Sequence, residues 1–184
     1  MGRPKNFNRE EVLEKAMPLF WKRGFADTGL QDLEKATGVN KSGLYSEFKN
    51  KEDLYLATLR HYGETRKARG LLSEAPLGWK NIENFLTLKM TGKGEMKGCF
   101  AVNSMREIAL LPPEAQEIMA ENRSSLKGLF LKNITAEKTR LAPEALVEIL
   151  STFFSGLCIE QNLKAGKPSP LRKVEDFMKL LRQM

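Results

Sequence analysis

Cysteine is nearly absent from this chain. Cys99 and Cys158 are its only two, and they form no Cys-x-x-Cys pair, so neither a disulfide framework nor a cysteine-based zinc site is expected and a reducing compartment fits. Histidine is scarcer still. His61 stands alone, which leaves no triad or metal set at a recognisable spacing, and a lone helical histidine ordinarily serves packing or surface. Gly92-Lys93-Gly94-Glu95 lacks the G-x-x-x-x-G-K-[ST] order of a phosphate-binding loop. No enzyme activity, metal or cofactor is therefore expected. Long apolar runs are also missing: no stretch of about eighteen apolar residues occurs, and MGRPKNFNRE contains no signal-peptide core. We expect a cytoplasmic protein without a membrane partner. The sequons at Asn122 and Asn133 then count as chance matches within helical patterns. Finally, no segment alternates apolar and polar residues with period two over any length, and no repeat of about 20–50 residues is visible. The fold class expected is all-α.

What is present is ordinary globular material, 41% hydrophobic and 29% charged over 184 residues. A chain of that length forms one or two domains and buries roughly 70% of its unfolded surface. Net charge is +7, in keeping with a phosphate-bearing partner. The excess is spread along the chain, three in residues 1–67 and four in the remainder, so individual lysines must carry the argument.

Residues 28–53 hold the densest signal. Thr28 can cap a short helix with Gln31 reaching back three residues on, and Leu30, Leu33 and Ala36 then share one face. Gly38 follows where a helix ends in a left-handed residue. Asn40 can cap a second short helix whose Leu44 and Phe48 face inward while Lys41, Ser42, Gly43 and Tyr45 occupy its first turns. Asn50 caps a third, and Lys51 stands at its first position, where free backbone N–H groups favour a phosphate. This is the layout of a helix-turn-helix reader of double-stranded DNA. Lys41 and Ser42 are the base-edge candidates, and Gly43, without a side chain, suits close approach to DNA.

At these residues the sequence resembles the TetR family of bacterial transcriptional regulators. The likeness runs through Gly2-Arg3-Pro4, Ala16, Leu19-Phe20, Gly24-Phe25, Thr28, Leu33, Ala36, Gly38-Val39, Lys41, Leu44-Tyr45, Phe48, Lys51 and Leu54, about the first third of the chain. Gly98 to Asn103 is similar to the start of a helix in one subgroup. The resemblance implies phosphate contacts from Thr28, Tyr45 and Lys51, although Gly29 stands where the family often has a hydroxyl residue. It implies a three-helix reader at residues 1–50, with reader helices at about 29–48, and a helical ligand-binding and dimerisation domain over 51–184, about nine helices in all. A helix at about 51–69 bridges the two. It further implies a repressor that binds a palindromic operator as a homodimer and releases it when a small molecule tilts the bridging helix.

Before the reader, Asn8 caps a helix carrying Val12, Leu13, Ala16, Met17 and Phe20; Pro18 should kink it, and Met1–Phe7 form a basic arm. Behind the reader, the periodicity predicts helices from Trp79 to Met90, from Cys99 to Leu111, over some twenty residues from Pro113, from Pro143 to about Ala165, and around Val174–Leu181. The basic loop TGKGEMKG and the break Gly166–Pro170 separate them. The helix from Pro143 is apolar on more than one face, which marks a core helix or a subunit contact. Phe153, Phe154, Leu157 and Phe177 are the dimer candidates, with Phe154 expected at an exposed interface position. Phe85, Cys99, Asn103 and Arg106 are the ligand candidates, with Glu107 a further polar group. A constitutive architectural factor, with the same reader and no effector, remains the alternative.

Overall fold

The computed structural model describes residues 7–65, 67–91, 96–162 and 169–184, with the backbone alone at 67 and 68. Among them it holds ten α-helical segments, one 3₁₀ stretch and no strand, the all-α fold expected. Except for Phe7, the arm at 1–7 lies outside the described residues, as do Gly92–Glu95 and Gly166–Pro168. The chain divides into two compact units, the first comprising residues up to Thr65 together with Asn103–Ala120, the second comprising the rest.

In the first unit, α1 (Arg9–Arg23) is capped by Asn8, whose side chain accepts from Glu10 N–H at 2.9 Å, and it continues through Pro18. It packs on α2 (Leu30–Thr37) and α4 (Lys51–Glu64), and α3 (Lys41–Glu47) packs on α2. Val12, Leu13, Ala16 and Phe20 from α1 meet Leu33, Leu44, Phe48, Leu54 and Tyr55 in one buried core. The rings of Phe20 and Phe25 both stand edge-on to Tyr55, at 5.0 and 5.1 Å.

Three helices are shorter than the periodicity predicts: the one from Pro143, expected to about Ala165, ends at Glu160, with residues 163–165 outside the described ones. The one expected over 51–69 stops at Glu64, and α5 (Lys67–Leu71) follows as a separate segment. Thr65 is the C-cap (φ −89°, ψ 9°), its N–H and hydroxyl both bonding the His61 carbonyl, at 3.0 and 2.7 Å. The helix expected from Cys99 to Leu111 is α7 (Phe100–Ser104) followed by a 3₁₀ stretch, Met105–Leu110, broken at Glu107 (φ −114°, ψ 18°). There Tyr55 hydroxyl donates to Ser104 Oγ at 2.7 Å, and Glu107 turns its carboxylate toward α1. Local periodicity has no knowledge of these distant partners.

In the second unit, α6 (Trp79–Thr91) packs against α5 and α10 (Pro170–Leu181), with the later part of α8 (Pro113–Thr135) and α9 (Pro143–Glu160) completing it. Both α9 and α10 open on proline, whose missing N–H costs nothing at a helix start. Phe85 is buried between Phe130 and Phe154, ring centroids 5.5 and 5.4 Å away. The link before α6 is tied down by α8: Asn133, fully buried, donates to Leu72 and Leu129 carbonyls and accepts from Gly78 N–H. Among the described residues no helix is long and apolar enough to cross a membrane.

Candidate nucleic-acid interface

The α2–turn–α3 element follows short-range rules almost throughout. Gly38 adopts the left-handed conformation (φ 74°, ψ 11°) and its N–H bonds Glu34 O at 2.9 Å. Thr37 hydroxyl donates to Leu33 O and accepts from Val39 N–H, stitching the turn from inside. Asn40 caps α3 by accepting from Gly43 N–H at 2.9 Å. Leu44 and Phe48, four apart, are buried beneath α3, so its opposite face is turned outward.

That outward face carries Lys41, Ser42, Tyr45 and Ser46, all exposed, with Tyr45 at 39%. Lys41 Nζ hovers 5.9 Å from the Tyr45 ring centroid, and its backbone N–H donates to the Glu34 carboxylate. Ser46, one turn beyond Ser42, is a polar group that sequence reasoning missed; its hydroxyl bonds Gly43 O at 2.7 Å in the free protein. Gly43 has an internal reason to be glycine. A Cβ there would stand 2.6 Å from Val39 Cγ1 and 3.4 Å from the Phe7 ring. Arg9 closes the far end of α3, bonding Glu47 at 3.1 Å above the Phe48 ring.

Thr28 does not cap α2. The N-cap is Gly29, and Asp32 rather than Gln31 reaches back, accepting from Gly29 N–H at 3.2 Å. Thr28 is fully buried, one residue before the cap, and its hydroxyl proton is spent on Gly24 O at 2.6 Å, so it is not free to donate to a phosphate. Arg23, 2.8 Å from Asp32, and the Gly29 N–H hold that carboxyl below the usual carboxylate range. Lys51 is likewise turned inward: its ammonium donates to the Phe25 and Thr28 carbonyls at 3.0 and 3.1 Å and lies 4.3 Å over the Phe25 ring. Asn50 caps α4 through Asp53 N–H as expected. Tyr55 is pushed up to about 12 by burial, and Glu107 adds to the shift by disfavouring the phenolate.

The remaining candidates fall in different places. Phe85 and Cys99 are buried in the second unit; Asn103 is half-buried and Arg106 exposed in the first. Phe154 is not at an exposed interface position. It is 3% exposed and packed on Phe85, because the α6–α8 core claims that side of α9; Leu157 is buried too. Phe153 faces the other way, stacked on Phe177 with centroids 3.7 Å apart, and both remain partly accessible. Further apolar side chains on the same helices are exposed, Ile149 and Ile159 on α9 and Leu171 and Leu180 on α10. Among the described residues no cluster of three His, Cys, Asp or Glu could hold a metal ion.

Residues 12–58, from the first turn of α1 to the middle of α4, match the family described as bacterial regulatory proteins, tetR family. The chain is 30% identical to the HTH-type transcriptional repressor ComR of Escherichia coli K12, over 94% of this chain and 86% of that one. Among solved structures it is similar to a cysteine mutant of the regulator CifR complexed with 26-bp operator DNA, at 26% identity and TM-score 0.79, over 96% and 98% of the two chains. The reduced form of E. coli NemR shares the fold at TM-score 0.81 and 21% identity, over 94% and 96%.

Proposed function

The chain belongs to the TetR family and is a DNA-binding transcriptional regulator rather than an enzyme; from that premise we propose that it is a cytoplasmic, ligand-responsive repressor that binds a palindromic operator as a homodimer. One observation carries this reading. On α3 a capped, well-packed helix presents Lys41, Ser42, Tyr45 and Ser46 outward, a row of donors suited to base edges and phosphates in a major groove. Lys41 and Ser42 are assigned to bases, Tyr45 to the phosphate backbone. Gly43 keeps the helix start close to the groove. Thr28 and Lys51 hold the frame from which α2 and α4 offer backbone N–H groups to phosphates, and the Lys51 ammonium has one proton left to donate.

A homodimer is supported by the apolar face of α9 and α10, which a lone protomer leaves to water. Two copies of α3 one helical turn apart, about 34–36 Å, would enter successive major grooves. An effector held in the second unit, where Phe85 and Cys99 are buried, would act by favouring a different spacing, and by linkage operator DNA would weaken effector binding by the same factor. The repressor assignment takes its sign from ComR. Selection of bound DNA from a random pool tests the reading. An inverted repeat with that half-site spacing is expected, and a single unrepeated site would overturn the dimeric operator. Native mass spectrometry of the purified protein tests the effector: a retained small molecule supports it, whereas operator binding insensitive to every metabolite extract would leave a constitutive architectural factor.

A further inference from the structure

The corner Phe25–Thr28 joins α1 to α2 with little backbone pairing of its own, the Thr28 N–H to Phe25 O contact being long at 3.4 Å. Two charged side chains hold it instead. The Glu107 carboxylate accepts from Phe25 N–H at 2.7 Å and from Ala26 N–H at 3.1 Å, while Lys51 takes the carbonyls of Phe25 and Thr28. Gly24 is shaped to admit the carboxylate: it has φ +89°, and a Cβ there would collide with the Glu107 carboxylate oxygens. Glu107 itself sits on the 3₁₀ stretch, none of whose residues is buried, at the one position where that stretch departs from helical dihedrals. The distortion thus serves the corner and no core contact of its own.

We propose that Glu107 is a positioning residue for DNA reading: its two hydrogen bonds fix the corner from which α2 starts and thereby the aim of α3. The proposal rests on the reading that α3 enters the operator. Eight residues of α2 make a lever of about 12 Å, so a rotation of roughly 5° at the corner displaces its far end by about 1 Å. Base-edge hydrogen bonds do not survive a shift of that size. Non-specific attraction to phosphates, which depends on charge more than on orientation, does.

The test uses the full chain and its selected operator, with a scrambled duplex of equal length beside it. For Glu107→Ala we expect operator affinity to fall about tenfold and scrambled-duplex affinity to stay within about twofold. Amide exchange at Phe25 and Ala26 in the free protein should accelerate about tenfold or more, with Tm and helicity near wild type. Glu107→Gln, which keeps an acceptor but not the charge, should fall between, and it serves as the test should the alanine variant fail to fold. Unchanged exchange at the two amides sinks the latch without any reference to DNA. Loss of affinity shared equally by both duplexes, or none on the operator, overturns the positioning role. A wild-type protein that prefers neither duplex sinks the reading of α3, and this proposal with it.

Discussion

The outer surfaces of α3 and of α9 and α10 are built in opposite ways. On α3 the apolar side chains Leu44 and Phe48 go inward and the outer face is Lys41, Ser42, Tyr45 and Ser46, groups that water satisfies. On α9 and α10 the inner face is just as apolar, yet Ile149 (37% exposed) and Ile159 (49%) on α9 and Leu180 (57%) on α10 are left open to solvent. The first surface is matched to water, and the proposed function assigns it to DNA. The second is not matched to water, which is why we assign it to a second copy.

The sharpest way to break that contrast is to charge the apolar face. Phe153→Arg should give helical monomers at micromolar concentration, seen by sedimentation, with operator affinity down about 100-fold because one half-site supplies too few contacts. A wild-type monomer under the same conditions would remove the basis for the assignment. Its neighbour discriminates face from core. Phe154→Ala should leave the oligomeric state alone and lower unfolding free energy by about 3–5 kcal/mol in denaturant titration, the cost of a buried phenylalanine.

Alkaline unfolding probes the first unit's interior instead. Tyr55, raised from 10 to about 12 in the fold, stays neutral below its unfolded value, so its contribution is intact up to about pH 10 and is lost as pH rises towards 12. The two-unit difference corresponds to about 2–3 kcal/mol, and Tyr55→Phe should flatten the stability profile in that window relative to wild type. On α3, Lys41→Ala should relax preference at one operator position by about 1–3 kcal/mol in a competition series of base variants. Uniform loss across all variants would move Lys41 to the phosphate backbone. The smallest effect is expected at Lys51. Its ammonium already serves two carbonyls, so Lys51→Ala should cost about 1–2 kcal/mol of stability while the salt slope of DNA binding falls by less than one unit. A full unit would place the ammonium on phosphate.

Legibility in the sequence followed the range of the forces involved. The turn between α2 and α3 was readable because each of its determinants lies within about four residues: Gly38 in the left-handed region, Asn40 on Gly43 N–H, Leu44 and Phe48 on one face. Even there a one-residue error entered. Thr28 and Gly29 are both acceptable caps, and the choice was made by Arg23 drawing Asp32 to Gly29 and by Gly24 taking the Thr28 hydroxyl. Ser46 was overlooked because serine in a helix carries no distinctive signal, although its spacing from Ser42 put it on the same face.

The sequence by itself determined the helical class, the α2–turn–α3 element and the outward placement of Lys41, Ser42 and Tyr45, since helix period, caps and left-handed glycine act locally. Only the tertiary structure decided which of two adjacent phenylalanines, Phe153 or Phe154, turns inward, because on a helix apolar around much of its circumference the choice belongs to the neighbours, here Phe85. It also brought Glu107 to Phe25 across 82 residues of chain. Glu107 has no local mark, and its partners are backbone N–H groups that any residue can offer, so nothing in the letters pairs them; the pairing exists only once folding has placed a carboxylate beside an unsatisfied corner.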